Sequence, residues 1–120
     1  MSRRTDQKAA IRKAIEHAGR PLTAQEICDL AQDDVPGLGI ATVYRNVKAL
    51  ESSGWLAAVD LPNEPTRYEL AALDHHHFQC DDCKKVFDVH GCPGVKAIIP
   101  QGFELRSHEI LMFGRCDACT

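Results

Sequence analysis

Hydrophobic positions along this chain change period part-way through. Within residues 6–18, Ile11, Ala14, Ile15 and Ala18 recur at i, i+3, i+4 and i+7, with Arg12, Lys13 and Glu16 between them. That spacing predicts an amphipathic helix, ended by Gly19-Arg20-Pro21. Thr23 and Glu26 then stand as a capping box, and Leu22 and Ile27 as a hydrophobic staple, so a second helix starts here. It is expected to bury Ile27, Leu30 and Ala31 and to stop before Val35-Pro36-Gly37-Leu38-Gly39. A third helix over about residues 41–53 carries Ile40, Val43, Val47 and Leu50 on one stripe, with Gly54 as its C-terminal cap. Thr42, Tyr44, Arg45 and Lys48 fall off that stripe and face outward.

From Trp55 the period becomes two. Trp55, Ala57, Val59 and Leu61 alternate, Pro62-Asn63-Glu64-Pro65 turns, and Arg67-Tyr68-Glu69-Leu70 returns as a β-hairpin. Helix, helix-turn-helix, hairpin is the order of a winged-helix DNA-binding module, here residues 1–70. Residues 71–74 read as a hinge. Beyond it, in residues 75–120, His77-Phe78-Gln79 and Val86-Phe87-Asp88-Val89 flank Cys80-x-x-Cys83 as a knuckle hairpin. One short helix at most fits between Gly91 and Gly102, and Phe103 to Phe113 reads as a long strand. The expected fold class is α+β: a winged helix-turn-helix domain followed by a small α/β domain.

Cysteine placement adds chemistry to this outline. Cys80-x-x-Cys83 and Cys116-x-x-Cys119 each aim two sulfurs inward from one turn, and together supply the four ligands of a structural zinc site. A rubredoxin-like iron centre or a redox dithiol uses the same spacing, and four reduced core cysteines are the plain alternative. The gap over residues 84–115 is too long for a lone finger, so the site pins the chain end onto a folded layer. Cys28, beside Ile27 in the second helix, reads as a buried spectator.

With 120 residues and 44% hydrophobic content, the chain suits one domain or two small ones that need a staple or a partner. No 18-residue apolar run and no signal-peptide core are present, so a cytoplasmic protein with no membrane association is expected. The net charge of −3 is unevenly spread: residues 1–54 hold eight Lys/Arg against seven Asp/Glu, leaving an acidic second half suited to cations.

Taken together, Arg3-x-Thr5-x-Gln7, Leu22-Thr23-Ala24-x-x-Ile27, Ala41-Thr42-Val43-Tyr44-Arg45-Asn46, Arg67-Tyr68-Glu69, His75-x-His77-x-x-Cys80-x-x-Cys83, Phe87-Asp88 and His108 leading to Gly114-x-Cys116-x-x-Cys119 resemble the ferric uptake regulator (Fur) family. The resemblance implies a homodimeric, metal-responsive repressor of double-stranded operator DNA, not an enzyme, with a structural zinc and a second, regulatory cation. It implies Glu69, His75, His77 and Asp88 as the regulatory ligands. His75 and His77, two apart on an extended segment, project to the same face. Mixed imidazole and carboxylate ligands suit Fe²⁺, Zn²⁺ or Mn²⁺.

Many members carry a His where this chain has Pro21, which leaves four protein ligands or recruits water. Relatives also hold a third cation with a carboxylate on a helix that is shortened here. His76, His90, Cys92 and His108 are the corresponding candidates, with a thiolate replacing the carboxylate. For DNA, Tyr44 and Arg45 are placed to reach base edges, and Thr42 and Lys48 to reach phosphate. Arg3 and Lys8 match the family's basic N-terminal positions. The helix that usually precedes them is nearly absent, so a shallow salt dependence is expected. Two alternatives remain: a peroxide-sensing iron repressor of the same family, and a zinc buffer that binds no DNA.

Overall fold

The computed structural model describes residues 3–71 and 76–120. The proposed hinge residues 72–74 and His75 therefore lie outside the described residues. The chain divides into two compact units, Met1–Ala72 and Leu73–Thr120.

In the first unit, α1 spans Arg3–Ala18 and buries Ala10, Ile11, Ala14 and Ile15. It begins three residues before the periodic stretch, because Arg3, Arg4 and Thr5 extend a helix without needing to be buried. Gly19, at φ +64°, turns the chain out of it. A short strand, β1 (Leu22–Thr23), leads into α2 (Ala24–Ala31). There the Thr23 hydroxyl accepts from Glu26 N–H at 3.1 Å and the Glu26 carboxylate accepts from Thr23 N–H at 3.0 Å, closing the capping box. Helix α3 (Ile40–Ser52) ends in a Schellman motif. Trp55 N–H donates to Leu50 C=O and Gly54 N–H to Glu51 C=O, with Gly54 at φ +86°.

Strands β2 (Leu56–Val59) and β3 (Arg67–Leu70) form the wing hairpin, and β1 pairs with the outer side of β3, giving the order β1-β3-β2. Leu56 and Tyr68 join Ile11, Leu22, Ile27, Leu38, Val43 and Val47 in one core. Glu69 pairs with Ala57, on the face of the sheet opposite Tyr68.

Two expectations about this unit need correction. Leu30 is 45% exposed, because Ala24, Ile27, Cys28 and Ala31 form the buried face of α2 and Leu30 lies roughly a quarter-turn or more off it. Ile40, at the first position of α3, is also exposed. In the wing, Leu56 joins the helical core, Trp55 packs half-buried against it, and Val59 and Leu61 are buried. The Arg12 guanidinium lies over the Trp55 ring, 4.6 Å from its centroid.

The second unit is a three-stranded sheet of β4 (His76–Cys80), β5 (Val86–Val89) and β6 (Leu111–Gly114), ordered β5-β4-β6. β5 runs antiparallel and β6 parallel to β4. A single 3₁₀ turn occupies Lys96–Ile98, and another, Asp117–Cys119, closes the C-terminus. The strand expected over Phe103 to Phe113 is reduced to its last part. Residues 103–110 lack a ladder among the described residues, and an unpaired strand cannot satisfy its own backbone groups. The described hydrophobic core cluster lies entirely in the first unit. The second unit buries Val86, Cys80 and Cys116 but leaves Ile98, Phe103 and Phe113 exposed, a thin core that needs cross-linking. No described helix is long and apolar enough to cross a membrane.

Candidate functional site

Four groups of side chains among the described residues can do chemistry at a metal or an anion. The first is built by the β4–β5 turn and the C-terminal 3₁₀ turn. Hydrogen bonding between β4 and β6 runs on into the knuckle, where Asp81 N–H donates to Gly114 C=O at 2.7 Å and delivers Cys116 to the Cys80–Cys83 turn. The four sulfurs of Cys80, Cys83, Cys116 and Cys119 all lie within 4.8 Å of one another. Cys83 Sγ and Cys116 Sγ are 3.8 Å apart. A disulfide requires about 2.05 Å, whereas zinc–sulfur arms of about 2.3 Å in a tetrahedron set the sulfurs about 3.8 Å apart.

Backbone N–H groups of Cys83 and Cys116 both donate to Cys80 Sγ at 3.4 Å. These two donors pull the Cys80 thiol down to about 6, so its thiolate is prepared before any metal arrives. Cys119 is pushed up to about 12, first by its hydrogen bond to the Cys116 sulfur. The donor set, the spacing and the N–H···S bonds fit structural zinc. Cys28 takes no part: burial pushes its thiol up, and it lies against Leu38 C=O at 3.6 Å.

The second group lies on the β4–β5 ladder, where His77 and Asp88 are direct cross-strand partners. His77 Nε2 is 3.5 Å from Asp88 Oδ1. That is long for a direct charge-assisted hydrogen bond, about 2.7–2.9 Å. It matches the roughly 3.4 Å edge expected of two ligand atoms on one tetrahedral cation. On the other side of the ring, His77 Nδ1 is 3.5 Å from Glu109 Oε1. Glu109 was not singled out from the sequence. Its one signal was position, directly after His108 and just before the strand that pairs with His77. Glu69 is buried on β3 of the first unit, and His75 lies outside the described residues.

Also in the second unit, His76, Cys92 and His108 bring ligand atoms within 4.8 Å of one another. His90, exposed just after β5, is not among them.

The fourth group is a basic face of the first unit. Tyr44, Arg45 and Lys48 are exposed along α3, and Thr42 is half-buried, its hydroxyl accepting from Arg45 Nη2 at 3.0 Å. Lys48 also reaches Glu51 at 3.9 Å. Between the start of α1 and α3 lies an open cleft of about 310 Å³ whose lining includes Arg4, Lys8, Thr42 and Arg45 and no carboxylate. Arg4 was missed in the sequence, where its neighbour Arg3 fits the motif. Arg3 points instead toward the turn after α2, near Gly37.

The chain is 27% identical over 120 residues to the peroxide operon regulator of Bacillus subtilis (strain 168), covering 97% of this chain and 83% of that protein. Among solved structures it is 31% identical to FurB from M. tuberculosis, a zinc uptake regulator, with a TM-score of 0.56 over 98% of this chain and 95% of that one. It is 25% identical to the ferric uptake regulator from Francisella tularensis solved with iron, with a TM-score of 0.75 over 99% and 92%. The model of the ferric uptake regulator family matches residues 2–113, and the chain belongs to that family.

Proposed function

We propose that this protein is a cytoplasmic, homodimeric repressor whose binding to operator DNA is switched by a divalent cation. The observation that carries the reading is the His77–Asp88 pair, an imidazole and a carboxylate spaced for one cation, in a chain that also has a winged helix with a basic recognition face.

In this reading Cys80, Cys83, Cys116 and Cys119 hold structural zinc, and Glu69, His75, His77 and Asp88 hold the regulatory ion. A cation with ligands from both sides of the hinge fixes the angle at which two copies present α3 to successive major grooves. Such a switch works by population shift. Converting a 1:99 mixture to 99:1 takes about 5.5 kcal/mol of preference for the bound arrangement, and a site that exists in only one arrangement supplies that preference directly.

On the DNA, Tyr44 and Arg45 read base edges, while Thr42, Lys48, Arg4 and Lys8 hold phosphates. The partner of the second unit is a second copy. Ile98, Phe103 and Phe113 are exposed apolar groups on a unit with little core of its own, which is the composition of an obligate interface.

The test is a mobility shift on the protein's own upstream DNA with chelator, Fe²⁺, Mn²⁺ and Zn²⁺. Metal-dependent retardation is expected, and it is expected to vanish in Glu69→Ala while the dimer and one zinc per chain persist. Retardation that is indifferent to chelator, or a Glu69→Ala protein that responds as the parent does, would overturn the reading.

A further inference from the structure

We infer that the regulatory site of this chain is four-coordinate and selects zinc, because Pro21 and the burial of His77 and Asp88 withhold the further ligands that iron or manganese would take. The inference rests on the regulatory reading above, in which Glu69, His75, His77 and Asp88 hold the cation.

The spacing of the described pair separates the two coordination numbers. Zinc arms of about 2.05 Å in a tetrahedron set neighbouring ligand atoms roughly 3.4 Å apart. An octahedral cation with arms of about 2.1 Å sets them about 3.0 Å apart. His77 Nε2 and Asp88 Oδ1 are 3.5 Å apart. A tetrahedral ion therefore fits the pair as it stands, whereas an octahedral ion must draw it together by about half an ångström. The His77 backbone is fixed by its pairing with Asp88 and by its N–H bond to Ile110 C=O at 3.1 Å. The adjustment would fall on side-chain torsions, and it would have to be made with Glu109 Oε1 standing 3.5 Å from the ring's other nitrogen.

Four protein ligands leave an octahedral ion two short, and hard octahedral cations ordinarily make up such a deficit with water. Little water can reach this pair: the His77 and Asp88 side chains are 6% and 18% exposed. The position of Pro21, where many relatives carry a His, supplies nothing either. Its side chain has no donor atom and is fully buried, and its C=O accepts from Arg20 Nη1 at 3.3 Å. Zinc has a filled d shell with no geometric preference of its own, so it loses nothing by taking four ligands.

Affinity alone does not test this, since the general order of metal affinities puts zinc above iron and manganese whatever the geometry. Cobalt(II) reads the coordination number directly, because four-coordinate cobalt absorbs strongly in the visible and six-coordinate cobalt faintly. It is added to the full chain retaining one zinc per protomer by elemental analysis, and the spectrum of the Asp88→Ala protein is subtracted. Strong visible bands are expected in the difference, saturating together with operator binding. Pro21→His, shown to be folded by circular dichroism, is expected to weaken those bands as a fifth ligand joins. A directly bound ligand is worth at least what a partner behind it is, so manganese affinity should rise by about tenfold or more. A faint, six-coordinate difference spectrum overturns four-coordination and leaves the regulatory reading standing. A folded Pro21→His protein with the parent's spectrum and manganese affinity removes Pro21 as a determinant; if that variant does not fold, the parent's spectrum decides. No Asp88-dependent cobalt, or cobalt bound there without effect on operator binding, overturns the regulatory reading and this inference with it.

Discussion

His77 and Asp88 face each other across the β4–β5 hairpin with Nε2 and Oδ1 3.5 Å apart, while Glu109 stands 3.5 Å from the ring's other nitrogen. In the proposed regulatory site, one carboxylate would share a cation with the imidazole and the other would orient it. The two should differ when removed. Asp88→Ala deletes a ligand and is expected to abolish the metal response of DNA binding. Glu109→Gln removes a partner behind the ligand, which typically costs about 10–100-fold in metal affinity. Because the Glu109 side chain is largely exposed, the lower end is expected. Metal titrations followed by mobility shift measure both. An Asp88→Ala protein with the parent's half-saturating metal concentration would remove Asp88 from the ligand set.

Zinc removal should unfold the second unit selectively. That unit has a thin core, and its strands reach the Cys80 turn through backbone bonds to Cys116 and Gly114. Apparent zinc binding contributes roughly 10–16 kcal/mol in small zinc peptides, more than the whole stability of an ordinary small domain, about 5–15 kcal/mol. A strong chelator, or Cys116→Ser, is expected to abolish amide exchange protection in β4, β5 and β6 while α1, α2 and α3 stay protected. Equal loss in both units, or none, would refute a purely structural role for this zinc.

What the sequence made legible is what is decided locally. The Thr23–Glu26 capping box, the Gly54 cap and the two Cys-x-x-Cys turns depend on residues within a few positions of each other, and each forms as its spacing implies. Burial was less legible. Leu30 and Ile40 satisfy a helical period yet lie outside the core, because one face of a short helix is covered by only one or two neighbours. The stretch 103–110 alternates like a strand, but a strand also needs a partner, and alternation alone does not supply one. Glu109 and Arg4 went unnoticed for a related reason. Each owes its place to an element distant in sequence, β4 for Glu109 and α3 for Arg4.

The cleft between α1 and α3 makes a prediction about DNA that separates affinity from sequence reading. Arg4 and Lys8 line it from α1 and Arg45 from α3. Arg4→Ala is expected to weaken binding to all duplexes alike and to reduce the magnitude of the slope of log affinity against log salt by about one. Arg45→Ala should cost about 1–3 kcal/mol on the operator and less on unrelated DNA, since a base-edge contact discriminates where a phosphate contact does not. Salt titrations on operator and scrambled duplexes test both. An Arg4→Ala protein that loses specificity at constant salt slope would assign Arg4 to the bases instead.

Gly114 is the position where a single methyl group should disturb the metal site from outside it. A Cβ there would lie 2.9 Å from Phe78 Cζ and 3.4 Å from Cε2, closer than side chains pack. Gly114 also opposes Cys80 in the parallel β4–β6 ladder and accepts from Asp81 N–H, two residues before Cys116. Gly114→Ala must therefore move either the Phe78 ring or the strand that carries Cys116. Overpacking of this kind costs about 1–3 kcal/mol. The Phe78 ring is only half-buried and can yield part of the way, so the lower half of that range is expected. The expected outcome is a lower thermal midpoint and faster zinc release to a chelator. Phe78→Leu should rescue both in the double variant, because the atoms that clash are then gone. If Gly114→Ala releases zinc at the parent's rate, or if Phe78→Leu fails to restore it, the contact between Gly114 and Phe78 does not govern how the second cysteine pair is held.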